Sequence, residues 1–62
     1  MKIKCTDKKE LCPAYLTPSK VYDVVSVINE DLVVIIGDHG QRVPIFILES
    51  SHTGFEPWEI VE

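Results

Sequence analysis

Polar and apolar residues alternate over Lys2-Ile3-Lys4-Cys5-Thr6. That is the two-residue period of a half-buried strand, with Ile3 and Cys5 facing inward. Asp7 to Glu10 then reads as a charged turn. Leu11-Cys12-Pro13-Ala14-Tyr15-Leu16 is apolar but has no period, and Pro13 argues against both a helix and a central strand. Residues 7–18 therefore read as one long excursion packed back on the rest of the chain. Thr17-Pro18-Ser19-Lys20 makes a turn, with Pro18 pre-setting φ at its second position.

Val21 to Ile28 is the second strand. Tyr22, Val24 and Ile28 share one parity, and Val21, Val25 and Val27 the other. Either a bulge switches the faces mid-strand or both faces are covered. Asn29-Glu30-Asp31 is a tight polar turn, and Leu32 to Ile36 is a third strand, dense enough in apolar residues to be expected in the sheet interior. Asp38-His39-Gly40 closes a hairpin in which Gly40 supplies a positive φ. The fourth strand, Gln41 to Ile47, puts Val43, Ile45 and Ile47 on one face. Its Pro44 has no N–H and so belongs at an edge or a bulge. Glu49 to Gly54 is a polar connection with room for one 3₁₀ turn. Phe55 to Val61 is the last strand, with Phe55 and Ile60 directed to the core and Pro57 interrupting the ladder.

Composition agrees with strands. Of 62 residues, fifteen are Val or Ile, which are stiff at χ1 and pack well on a pleated surface. The length allows one domain, residues 1–62, burying about 60% of the surface its unfolded chain exposes. The net charge of −4 is unevenly spread: five Lys and two acids up to residue 20, then one Arg and eight acids. An acidic balance disfavours nucleic-acid binding, which needs clustered cations. The exception is a local patch of Lys2, Lys4, Lys8, Lys9 and Lys20. No apolar core follows Met1-Lys2-Ile3-Lys4 as a signal peptide requires, and the longest apolar run is Leu32 to Ile36, too short to span a membrane. A cytoplasmic protein with no membrane association is expected. In that reducing compartment Cys5 and Cys12 read as buried free thiols rather than a disulfide.

Five short strands, one long early loop and tight later hairpins describe a small barrel. The short first strand with Cys5, then Leu16-Thr17-x-x-Lys20-x-Tyr22-x-Val24, the Asp38-x-Gly40 turn and the closing Phe55-Glu56 resemble a group of small SH3-like proteins. Those are encoded mostly by bacteriophages and prophages, and nearly all lack an assigned function. The resemblance extends from Lys2 to Glu62 and implies an all-β, five-stranded SH3-like barrel with a long loop between strands 1 and 2. Two departures stand out: Ser19 occupies a position where the group usually has Gly, and Glu49–Gly54 forms an insertion-like loop.

Chemistry is sparse. Cys5, Cys12, His39 and His52 lack the spacing that brings neighbouring ligands to one metal ion. Glu49-Ser50-Ser51-His52 places adjacent side chains on an extended loop, where they point apart and form no triad. The three glycines, at 37, 40 and 54, make no phosphate-binding loop. No catalytic residue, metal or cofactor is expected, and the chain is read as not an enzyme.

The remaining signal is surface. A barrel this small fully buries about 15 side chains, and the chain has more apolar residues than that. The surplus marks an interaction face, with Tyr15, Val25, Val27, Val33, Phe46 and Trp58 as candidates. Trp58 reads equally well as a cap on the open end of the barrel. These residues point to a non-catalytic module that binds and modulates a host or phage protein. Strand Val21–Ile28 or Gln41–Ile47 offers an edge for homodimerisation. The alternatives are a nucleic-acid-binding barrel using the five lysines, with Tyr15 or Trp58 stacking on bases, and a self-assembling structural component.

Overall fold

The computed structural model describes all residues, Met1–Glu62. It is all-β, with strands β1 (Lys2–Lys4), β2 (Val21–Val27), β3 (Leu32–Ile36), β4 (Arg42–Phe46) and β5 (Glu59–Ile60), and 3₁₀ turns at Lys9–Leu11 and Ser51–Thr53. The strands form one antiparallel sheet in the order β4-β3-β2-β1-β5. No helix is long and apolar enough to cross a membrane.

Local chemistry explains each junction. Asn29 ends the β2–β3 hairpin by accepting from the Asp31 and Leu32 amides at 3.0 and 2.9 Å, a side-chain mimic of a backbone turn. Gly40 has φ +83° in the β3–β4 turn, where a Cβ is disfavoured. In the turn before β2 the Lys20 amide bonds the Thr17 carbonyl at 3.2 Å. Ser19 there has φ +62°, the left-handed conformation that a type II turn requires at its third position. A serine here thus holds a backbone conformation that glycine adopts without steric cost.

The bulge in β2 is present. Val24 pairs with Ile35 but Ser26 with Val34, a slip of one residue, and the ladder resumes at Val27–Val33. An extra residue of this kind bends a strand and increases its twist. β2 thereby serves both ladders, pairing with β1 at its start and β3 at its end. It is an interior strand, so its expected role as a dimerisation edge does not hold. The edges are β4 and β5. Pro44 lies on β4, as its missing N–H demands, and Leu32–Ile36 is interior.

The sheet is not closed into the barrel expected from the strand count. β5 is only two residues long, since the Trp58 amide just before it turns away from β1. The edges meet at one backbone bond, Trp58 N–H to the Ile47 carbonyl at 2.7 Å. Around it lies the core: Ile3, Cys5, Leu16, Tyr22, Val33, Ile35, Val43, Ile45, Ile47 and Trp58. Phe55 and Ile60, expected in that core, are exposed.

Candidate functional site

Three of the six sequence candidates face solvent and three do not. Val25, Val27 and Phe46 are exposed. Tyr15 is half-buried against the core, and its hydroxyl meets His52 Nδ1 at 2.7 Å. Val33 and Trp58 are only 1% and 4% exposed, which removes both from any surface. Val33 sits on the inner face of an interior strand. Trp58 packs edge-on to Tyr22, with ring centroids 5.8 Å apart, and its indole N–H bonds Thr53 Oγ1 at 3.1 Å. The indole is a core residue with its polar atom satisfied.

Two grooves hold part of the exposed apolar surface. On the outer side of the sheet Val21, Val25 and Ile36 line a shallow groove of about 300 Å³ with Lys20 and Asp23 at its rim. At the end of β4 lies a second groove of about 380 Å³, lined by Asp31, Phe46, Leu48, Glu49 and Phe55. Two of its apolar members are more open than any in the first: Phe55 is 65% and Leu48 71% exposed, with Phe46 at 49%. Of these only Phe46 was legible as a candidate.

Each lining residue is held from beneath. Phe46 follows the alternation of β4, whose Val43 and Ile45 point inward. Leu48 follows buried Ile47, whose amide bonds the Asp31 carbonyl at 2.8 Å and fixes Asp31 alongside. Phe55 is placed by the second 3₁₀ turn. Ser50, buried, accepts the His52 amide on its Oγ and the Phe55 amide on its carbonyl, and buried Thr53 accepts the Glu56 amide on its carbonyl. The chain then passes through two consecutive left-handed residues, Gly54 at φ +62° and Phe55 at φ +65°. For Gly54 this is compatible with its close packing, since a Cβ there would lie 2.9 Å from Leu11 Cδ2. For Phe55 it is strained, costing on the order of 1–2 kcal/mol, and the result is a benzyl group standing in water.

The electrostatics of this groove are one-sided. Its lining contains two carboxylates and no cation. Asp31 Oδ1 is shielded from water and has no hydrogen-bond partner. The three ion pairs of the molecule lie elsewhere: Lys2–Asp23 at 3.8 Å, Lys8–Glu56 at 2.9 Å and Lys20–Asp38 at 2.7 Å. Those pairs engage three of the five lysines considered as a nucleic-acid patch, leaving Lys4 and Lys9 outside them.

Asp38 anchors the other polar cluster. It accepts from Lys20 Nζ at 2.7 Å, Thr17 Oγ1 at 2.6 Å and Tyr22 OH at 3.1 Å. The Lys20 hydrogen bond, then that from Thr17, holds its carboxyl below the usual range. Lys20 also lies 5.0 Å from the centroid of the Tyr22 ring. These contacts tie the β3–β4 turn to the turn before β2 and involve no unpaired group. Cys5 and Cys12 are free, with Sγ atoms 3.7 Å apart. No cluster of three or more His, Cys, Asp or Glu side chains forms a metal-binding arrangement; His39 lies exposed in the β3–β4 turn, and His52 bonds the Tyr15 hydroxyl.

Comparison of the chain with protein-family models, curated proteins and solved structures finds no match.

Proposed function

We propose that the chain is a non-catalytic protein-interaction module built on a small SH3-like scaffold, binding its partner through the groove of Phe46, Leu48 and Phe55. The observation that carries this reading is Phe55: a large apolar side chain, 65% exposed, on a strained backbone. Strain of this kind persists where surrounding structure over-determines it, and it concentrates at functional sites. Phe46 and Leu48 extend the same surface, giving the contiguous apolar patch that marks an interaction site. The SH3-like scaffold is supported by β2 serving two ladders across a bulge and by the 3₁₀ turn preceding a short β5. A phage or prophage origin, with a host or phage protein as partner in the bacterial cytoplasm, rests on the sequence resemblance.

The test is affinity capture from bacterial lysate with the wild-type chain, Phe46→Glu and Leu48→Glu, each checked for its native near-ultraviolet circular dichroism. A protein retained by the wild type and released by both variants is the expected result. Retention indifferent to both would rule this surface out.

A further inference from the structure

We propose that the Phe46–Leu48–Phe55 groove takes an apolar peptide segment carrying an arginine, whose guanidinium is seated against Asp31 and Glu49. This rests on the interaction reading above and names the chemistry of the partner. The charge of the groove points to it. Two carboxylates line an apolar surface and no cation of the chain answers them. Asp31 is the more demanding of the two, because its Oδ1 has neither water nor a donor. An oxygen in that state lacks the solvation a carboxylate ordinarily has. A donor on the groove side adds a charge-assisted bond to this carboxylate, whose charge no cation of the chain offsets.

The aromatic lining selects among cations. Guanidinium is planar, weakly hydrated and able to lie on a ring face while its N–H groups bond a carboxylate, whereas ammonium is compact and strongly hydrated. Phe46 and Phe55 supply rings and Asp31 and Glu49 supply acceptors within one groove of about 380 Å³. Leu48, the most open of the lining side chains, is left for an apolar neighbour of the arginine. The excess of acids beyond residue 20 adds long-range attraction for a basic partner. A second copy of the chain, itself carrying a net charge of −4, is disfavoured by the same term.

Addition of the partner as a further strand is a poorer mode. The Ile47 amide bonds the Asp31 carbonyl and the Gly37 amide bonds the Gln41 carbonyl, so odd-numbered residues of β4 turn toward β3. By alternation Pro44 turns its nitrogen to the open edge, where it has no proton to donate. Side-chain capture in the groove needs no such donor.

The probe is a capped pentapeptide, Leu-Phe-Arg-Leu-Gly, titrated against the full chain with amide chemical shifts as the readout. A matched peptide carries citrulline, the neutral isostere, in place of arginine. Shifts clustered at Asp31, Phe46, Leu48 and Phe55, with citrulline weakening binding roughly tenfold, are expected. Asp31→Asn should abolish most of that difference. Its side chain joins no ion pair, and the fold uses its backbone carbonyl instead, so the variant is expected to fold. Equal binding of both peptides at these residues overturns the arginine inference while leaving the interaction surface standing. Shifts elsewhere, or none at millimolar peptide, also overturn it, and the lysate capture then judges the surface by itself. Concentration-dependent shifts at the same residues without peptide would assign the groove to a second copy instead.

Discussion

Cys5 and Cys12 place their sulfurs 3.7 Å apart without being bonded. Cys5 lies at the inner end of the first strand. Cys12 lies just beyond the Lys9–Leu11 turn, whose carbonyl at Lys9 its amide caps at 3.1 Å. Burial, and then the neighbouring Cys12 thiol, push the Cys5 thiol up to about 12. Nucleophilic attack requires thiolate, so Cys12 should be alkylated by iodoacetamide well before Cys5 in the native chain at neutral pH. In a separate, unalkylated sample, oxidised glutathione should convert the pair to a Cys5–Cys12 disulfide, the two thiols losing two protons and two electrons as two molecules of glutathione form. Tryptic mass spectrometry reads both results. Equal alkylation of the two thiols would contradict the burial of Cys5.

The same thiol sets a limit at alkaline pH. Its folded value exceeds its unfolded one, so the neutral thiol favours the folded state. That contribution is complete below about pH 9, where both states hold the proton. It is lost as pH rises toward 12, because the unfolded chain ionises first. Urea midpoints for the wild type should fall through this range more steeply than those of Cys5→Ala. Parallel profiles would contradict the assignment.

Ser19 occupies a left-handed conformation, φ +62°, at the third position of its turn. Ser19→Gly removes a steric cost of about 1–2 kcal/mol and adds unfolded-state entropy of about 0.4–1 kcal/mol. A net gain between zero and about 1.6 kcal/mol is expected, read as a higher urea midpoint at unchanged slope. Ser19→Val, β-branched, should lower the midpoint.

Local chemistry explains why so much of the fold was legible. Asn29, Pro18, Gly40 and Pro44 each impose a backbone state without reference to the rest of the chain, and the turns and the β4 edge followed from them. Leu32–Ile36 was legible to the residue because its apolar density suits an interior strand. What failed depended on distant contacts. In that same run both parities are apolar, so nothing local tells that Val33 faces inward. Phe55 is turned outward by two left-handed residues after a 3₁₀ turn held by Ser50 and Thr53, whereas strand alternation back from Ile60 carries no trace of that rotation. Ile60 lies on a two-residue edge strand with nothing laid over it. For the groove, Leu48 and Asp31 are brought together only by the Ile47–Asp31 backbone bond, a pairing visible once β3 and β4 are in register.

Asp38 should govern part of the acid response. Its carboxyl is held low by Lys20 and Thr17, so the unfolded chain takes up its proton first as pH falls. The stabilisation is present above about pH 4 and lost as pH drops through the folded value. Asp38→Asn should be less stable than wild type at pH 7, and the gap should narrow at pH 2–3 in denaturant titrations. A gap that stays constant would show that charge plays no part in it.

Pro44 should protect the β4 edge. With Val at this position an N–H points to the open edge and completes a donor row on a strand already rich in apolar residues. Exposed edges of this kind recruit further strands. Sedimentation of Pro44→Val should reveal concentration-dependent association where the wild type shows less. Equal association would mean that the edge is guarded by something other than the proline.

The indole of Trp58 closes the gap between the two sheet edges, and its N–H depends on one acceptor. Thr53 Oγ1 lies 3.1 Å from Nε1, and both residues are buried. Thr53→Val keeps the shape of the side chain and deletes the acceptor, leaving a buried donor unpaired at a cost of about 1–3 kcal/mol. Such a loss is large for a chain of this size, so a clear drop in the urea midpoint followed by Trp58 fluorescence is expected. Thr53→Ser, which keeps the oxygen and removes only a methyl group, should lose about 1 kcal/mol or less. If both variants lost the same amount, packing of the methyl group rather than the indole bond would hold this junction.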